Sequence, residues 1–411
     1  MMEPISFILC NFNAAEYFRF SYASLRRNLS PEHEIILLDD GSNDGSRQWL
    51  RDLDDPGVVK IENPENIGIG YSYNTAVDAA KNEHVCVLHT DMYVPPGFDL
   101  AMLRAMRDHD FIAAYRVEPS VYLASADKLN LNFGMDMETF DEAGFLSWNE
   151  ENVRTRQGQT QDALFFPWMT TKTFYASLGG VDLLYLKYMI DDDDLYLRVK
   201  LSGARFAQVL DAAVYHFGSR STRFAGDEIG EKSEVWKAQF ARSERNFVRK
   251  WGVLPARCWT DDMGLVVHPK YDIGIKLAHA DIPTMYSLEP FCSNIYVDDP
   301  DLRRDYVRLE QGKTVFPMAD RVRMLGRNEP GNGVLATVPM DRYDAITFQI
   351  IRRLPDILAE VEGSGRFNLE NRVFLDVRDL TTHEADQVVN TRCFSYAPGI
   401  PERGFTPLLS R

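Results

Sequence analysis

Unbroken apolar runs alternate with stretches of helical periodicity through the first part of the chain. ISFILC (5–10) shows no polar alternation, as a strand buried on both faces requires. Phe18, Tyr22, Leu25 and Leu29 then recur at helical spacing, with Asn13 placed to cap that helix and Pro31 to stop it. EIILLD (34–39) is a second buried strand, and it runs into the polar turn DGSNDGS (40–46), whose Ser46 can cap RQWLRDL. VVKIE (58–62) is a third strand and NPENIGIG (63–70) a turn. Residues 71–81 form a helix with Tyr73, Val77 and Ala80 on one face, and HVCVLH (84–89) is a fourth strand. This βαβαβαβ order predicts an α/β fold with a Rossmann-like, mostly parallel sheet covered by helices. Ligands of such sheets sit beyond the carboxyl ends of the strands. The polar clusters at 11–13, 39–44, 63–70 and 89–91 all fall at those ends.

The pattern loosens between about 115 and 165, where NEENVRTRQGQTQ (149–161) reads as a mobile polar loop. Order returns with FFPWMTTKTFYASLGGVD (165–182), a helix at 195–202, the strand-like RFAQVLDAAVYHFGS (205–219) and a helix over about 231–250. Beyond Trp251 the chain is rich in proline and turns. It shows one amphipathic helix (345–361, interrupted at Pro355) and one clear strand, RVFLDV (372–377). The division expected is a domain over 1–250 and a smaller module over 251–411, serving acceptor binding or oligomerisation.

Composition narrows the class. With 411 residues, 45% of them hydrophobic, a large core is available. A net charge of −16 leaves no excess of cations to displace counterions from a polyanion, which disfavours a nucleic-acid partner. No apolar run reaches the ~20 residues of a membrane span. MMEPISFILCNFN lacks a basic leader segment and reads as a first strand. Five scattered cysteines without a CxxC pair indicate neither a zinc site nor a disulfide framework, so a reducing, cytoplasmic setting is expected.

The most conspicuous chemistry lies in YLKYMIDDDDLYLRVKLSG (185–203). Adjacent carboxylates repel by about 1 kcal/mol per pair in water and more where partly buried. Either this is a solvated turn whose last aspartate caps the following helix, or it is a site that needs a base and tolerates the repulsion. NPENIGIGYSYN lacks the third glycine of a dinucleotide fingerprint and follows the third strand rather than the first.

Five motifs occur in order: Asp39-Asp40-Gly-Ser-x-Asp-Gly-Ser; Asn66-x-Gly68-x-Gly-x-Ser-x-Asn74; the strand end His89-Thr90-Asp91; Gly179-Gly180-x-Asp182; and Asp191 to Asp194 followed by Leu-x-x-Arg. In that order they resemble a family 2 glycosyltransferase of the GT-A fold, the nucleotide-diphospho-sugar transferase architecture, over roughly residues 3–222. The resemblance implies an inverting, metal-dependent transfer from a UDP- or dTDP-sugar to a hydroxyl acceptor, most commonly a glycan or polysaccharide. In it Asp40 accepts from the base N3–H, a charge-assisted bond, while Cys10 and Phe12 flank the base. Asn66, Gly68 and Asn74 belong to the donor turn. His89, Thr90 and Asp91 face ribose and diphosphate, with His89 standing where the family has its first aspartate.

The resemblance further implies that Asp91 ligates Mn²⁺ or Mg²⁺, that His216 completes the metal shell and that His89 is a further ligand. Ser219 and Arg220 lie within reach of a phosphate. Asp192 falls on the catalytic base, with Asp191 assisting it. Gly179, Gly180 and Asp194 fall on the acceptor side, where Asp194 doubles as a helix cap. Trp168 either stacks on a sugar face or packs in the core. The Ala-Arg-Asn run common in the family is here Ser72-Tyr73-Asn74, which leaves the diphosphate one cation fewer. A nucleotidyltransferase would carry a basic glycine-rich loop where this chain has CNFNAAEYF. Transfer to a protein, a small molecule or a modified nucleic acid, a non-catalytic nucleotide-sugar scaffold, and a homo-oligomer all remain compatible with the residues.

Overall fold

A computed structural model describes residues 3–120, 125–185, 187–218, 234–255, 259–260, 270–326 and 330–383. The expected alternation is present. Strands β1 (Ile5–Asn11), β2 (Glu34–Asp40), β3 (Val58–Asn63) and β4 (His84–Leu88) are separated by helices α1 (Ala15–Asn28), α2 (Ser46–Asp52) and α3 (Ile69–Ala79). The strands pair in parallel in the order β3-β2-β1-β4. Every residue of β1 and β2 is buried, which accounts for their unbroken apolar runs.

Beyond β4 the ten-stranded sheet becomes mixed. β5 (Met92–Tyr93) and α4 (Phe98–Ala105) lead to β6 (Phe111–Glu118) and β7 (Lys128–Asn130). Helix α5 (Glu142–Arg156), the short β8 (Thr160–Gln161) and β9 (Ala163–Leu164), and β10 (Trp168–Thr171) follow. After α6 (Lys172–Leu178) and α7 (Asp191–Leu201), β11 (Phe206–His216) pairs in parallel with β6, while β10 runs antiparallel between β4 and β6. The polar stretch from 149, expected as a mobile loop, instead continues α5 to Arg156. Its Phe145, Asn149 and Asn152 are buried, and Asn152 donates to the Leu210 carbonyl on β11. Two capping expectations also change. Asn13 adopts a left-handed φ of 50°, and α1 is capped instead by Asp44, which accepts from the Ala15 amide. Ser46 sits inside α2, whose N-cap is Gly45.

Helix α8 (Glu234–Trp251) connects to a second sheet whose strands, apart from RVFLDV, the sequence pattern does not reveal. The short β12 (Trp259–Thr260) pairs with β9, and β13 (Lys270–Tyr271) pairs with the last described strand. The second sheet is built from β14 (Ile273–Leu277), β15 (Asn294–Val297), β16 (Val322–Met324), β17 (Val334–Val338), β18 (Gly365–Leu369) and β19 (Val373–Val377), with β20 (Thr382–His383) after them. Its order is β16-β15-β14-β17-β19-β18, parallel except for the β18–β19 hairpin, which packs antiparallel on β17. Helices α9 (Ile282–Leu288), α10 (Pro300–Glu310), α11 (Met318–Arg321), α12 (Ala345–Arg352) and α13 (Leu354–Ala359) pack around it. The break between α12 and α13 falls where Pro355 was expected to interrupt a single helix. Each sheet has its own apolar cluster. No helix among the described residues is long and apolar enough to cross a membrane.

Candidate active site

The carboxyl ends of β1, β2 and β4 bring the sequence-predicted groups to one edge of the first sheet. Asp40, the last residue of β2, holds the turn that follows β3. Its Oδ1 accepts from Asn63 Nδ2 at 2.7 Å and from the Ile67 amide, and its Oδ2 accepts from the Gly68 amide at 2.8 Å. Oδ2 thus retains a lone pair for a further donor. The fit is close: a Cβ on Gly41 would come within 2.4 Å of the Asn66 nitrogen, and Gly41 has φ +81°, so only glycine serves there. Cys10 is buried, and burial, with the Asp40 charge adding to it, pushes its thiol well up. Phe12, just past β1, exposes its ring.

At the end of β4, His89, Asp91 and His216 each offer one ligand atom, all within 4.8 Å of one another. His216 is fixed from behind: its Nδ1 lies 2.7 Å from Glu118 Oε1, while Nε2 faces Asp91 Oδ1 at 3.2 Å. A bond from Nδ1–H to a carboxylate sets the tautomer that presents Nε2 to a cation. Nε2 is buried and makes no well-aligned hydrogen bond. Two imidazoles beside a carboxylate accept Mn²⁺ more readily than Mg²⁺. Burial opposes charge on His216, yet Asp91 and Glu118 together push it up to about 9. Burial first, then the charge of His216, press His89 down to about 3, so it is a neutral donor, its ring tilted by 33° against Phe166 at 4.1 Å. Thr90, between His89 and Asp91 in the sequence, is buried.

The four aspartates form the first turn of α7, where the helix dipole favours negative charge. Two left-handed non-glycine residues precede them, Met189 (φ 78°) and Ile190 (φ 70°). For a β-branched residue such as Ile190 this is a strained conformation, of the kind that collects at functional sites. Burial, then the neighbouring Asp192, push Asp191 up to about 8, and burial likewise raises Asp192. Asp194 goes the other way. Although burial opposes it, Lys250 and Arg198 hold it down to about 2. Arg116 on β6, which sequence reasoning missed, acts electrostatically on both His89 and Asp192 and so belongs to the region between the two clusters. It is itself held by Asp127 at 2.6 Å and Glu118 at 3.1 Å.

Several expected roles change. Asp194 is fully buried and accepts from Arg198 Nε (2.8 Å), Lys250 Nζ (2.6 Å), Trp251 Nε1 (2.7 Å) and Tyr185 Oη (3.0 Å), so it neither meets an acceptor nor caps the helix. Asp182 is likewise internal, 2.6 Å from Lys250. Asn74 turns away from the donor turn. Its amide bonds both the carbonyl and the amide of Val181, and Tyr175 Oη donates to it, tying α3 to the Gly179–Gly180 turn. That turn needs its glycines, with φ +95° and +66°, and a Cβ on Gly180 would meet Asn74 Oδ1 at 2.4 Å. It is a structural joint rather than an acceptor seat. Trp168 is fully buried in β10 and stacks on Tyr175, so it takes the core reading. Trp168→Ala is expected to cost about 3–5 kcal/mol in chemical denaturation. Wild-type stability combined with weakened acceptor binding would restore the sugar-stacking role. Ser219 and Arg220 lie outside the described residues.

Residues 6–173 match the family model described as glycosyl transferase family 2. The uncharacterized glycosyltransferase alr2836 of Nostoc sp. is 34% identical over 89 residues, 21% of this chain and 28% of the relative. Poly-beta-1,6-N-acetyl-D-glucosamine synthase of Staphylococcus epidermidis is 26% identical over 121 residues, 29% of each chain. The chain spans less than a third of the length of the curated relatives it matches. Among solved structures, GalNAc-T7 with UDP, GalNAc and Mn²⁺ superposes with a TM-score of 0.44 at 14% identity, covering 61% of this chain and 48% of that one. The motifs at the ends of β1, β2 and β4 all fall inside residues 6–173, the segment that matches glycosyl transferase family 2.

Proposed function

We propose that the protein is an inverting, metal-dependent glycosyltransferase that moves a sugar from a UDP- or dTDP-sugar to a hydroxyl of a glycan acceptor. The observation that carries the reading is the pairing of two sites: a His89–Asp91–His216 ligand set and, sharing Arg116 with it, the adjacent carboxylates Asp191 and Asp192, both of raised pKa. Asp40 and Phe12 hold the base. The acceptor oxygen attacks the anomeric carbon as the bond from that carbon to the diphosphate oxygen breaks, and the nucleoside diphosphate leaves with the electron pair. Asp192 takes the acceptor proton, with Asp191 close enough to tune it. A divalent ion bound by His89, Asp91 and His216 would neutralise charge on the leaving diphosphate. The name of the Staphylococcus epidermidis relative supports a glycan as acceptor. The transferase domain spans about 1–250, and the module beyond it serves acceptor binding or assembly.

The test is a thermal-shift panel of UDP, dTDP, GDP and CMP, each with and without Mn²⁺, followed by nucleotide release from the corresponding sugars. A metal-dependent rise in melting temperature with UDP or dTDP, and turnover of their sugars, is expected. Binding without turnover would make the protein a nucleotide-sugar-binding scaffold, and no shift with any nucleotide would remove the donor site.

A further inference from the structure

Helix α8 touches the base-bearing turn on one side and the second sheet's module on the other. Asn246 makes both contacts, and its neighbours on the helix make one or the other. Asn246 Nδ2 donates to the carbonyls of Leu184 (3.3 Å) and Lys313 (3.1 Å). Two turns earlier, Gln239 Nε2 donates to the Tyr188 carbonyl at 3.0 Å. Lys250 and Trp251 hold Asp182 and Asp194 from below. Between these groups, Arg249 donates to Asn246 Oδ1 at 2.9 Å and pairs with Glu289 (2.6 Å) and Glu310 (2.7 Å) of the module. Arg321 closes on the other oxygen of Glu289 at 2.6 Å. Arg249, Glu289 and Glu310 are all fully buried.

A buried ion pair adds little stability over an apolar contact of equal volume, because its desolvation cost consumes the attraction. Its geometry, however, is exacting. This one lies at the end of the helix that grips residues 184–188, directly before the strained Met189–Ile190 step and the aspartates. A strained step persists only where its surroundings over-determine it. We propose that the module of residues 270–383 acts through α8 as a brace that sets the position of Asp191 and Asp192, with Asn246, Arg249 and Lys250 as positioning residues. The inference rests on the transferase reading above and gives the module a part in that reaction.

The experiment compares the full-length protein with Glu289→Gln and Glu289→Asp. Two quantities are measured: the dissociation constant of UDP with Mn²⁺, and the rate of nucleotide release from the UDP- or dTDP-sugar that the wild type hydrolyses fastest. Glu289→Gln is expected to slow release by about 10–100-fold, the scale of a 1 Å misplacement of a reacting group, with UDP affinity within about threefold of wild type. Glu289→Asp, which keeps the charge, is expected to recover most of the rate. Unchanged turnover, or equal losses in rate and affinity, would overturn the brace. Native-state hydrogen exchange on the wild type decides the matter even where Glu289→Gln does not fold or no donor turns over. Residues 191–201 are expected to open together with 242–251 and 286–310 at one denaturant dependence. Opening of the module while 191–201 stays protected would overturn the brace. A wild type without turnover on any donor, by contrast, sinks the transferase reading alone.

Discussion

Asp192→Asn is expected to lower the rate of sugar transfer by about 10²–10⁴-fold, the range a positioned general base supplies, while leaving UDP affinity in the presence of Mn²⁺ unchanged. The environments of the four aspartates separate their roles. Asp194, held down to about 2 by Lys250 and Arg198 against its burial, is a permanent anion committed to the fold. Burial raises both Asp191 and Asp192, and the charge of Asp192 adds to it at Asp191, which is pushed up to about 8. Groups whose surroundings drive their pKa values apart in this way divide structural from proton-transfer work. Because burial raises Asp192, the rate should climb with pH beyond the ordinary carboxylate range before it levels off. Stability moves oppositely. A carboxyl raised above its ordinary 3.8 binds more protons in the folded state than in the unfolded state, so stability is full below about 4 and falls until pH passes about 8. Asp192→Asn should consequently melt higher than the wild type at pH 8. Transfer within about threefold of wild type in this variant would remove Asp192 as the base.

The parts of the site read from sequence are those whose physics is local. β1, β2 and β4 are unbroken apolar runs because both faces are buried, and Asp40, Gly68 and Asp91 stand out because turns at strand ends restrict residue type. Contacts distant in sequence were not legible. Nothing near Lys250 announces a partner such as Asp194, 56 positions away, nor does Glu118 announce His216, 98 positions away. Asn74 and Asp194 matched a motif, yet tertiary partners claimed both side chains. The second sheet escaped notice because its strands are short and one of them, IGIKL, carries a glycine that weakens the strand signal. Helix α5 escaped because two of its buried positions are the asparagines Asn149 and Asn152, which pattern reading assigns to solvent.

The second large effect is expected at the ligand set. Asp91→Asn should weaken Mn²⁺ binding by more than about 100-fold, beyond the range typical of groups that only orient a ligand, and Glu118→Gln should fall within that orienting range of about 10–100-fold. The two variants are expected to differ because Asp91 offers a ligand oxygen, whereas Glu118 holds Nδ1 of His216. Proton linkage separates this arrangement from an adventitious cluster of acids. Without an ion, burial works against charge on His216, but Asp91 and Glu118 keep it protonated up to about 9. Because that value lies above the ordinary 6.5, the ion pairing stabilises the fold fully below about 6.5 and is lost as pH rises through about 9. A cation must take Nε2 from a proton, so Mn²⁺ binding at pH 7 should release about one proton and tighten by up to about tenfold per pH unit towards 9. Titration calorimetry in buffers of different ionisation enthalpy counts that proton directly. Binding without proton release would leave His216 outside the metal shell, with Asp91 and His89 as the remaining ligands from this cluster.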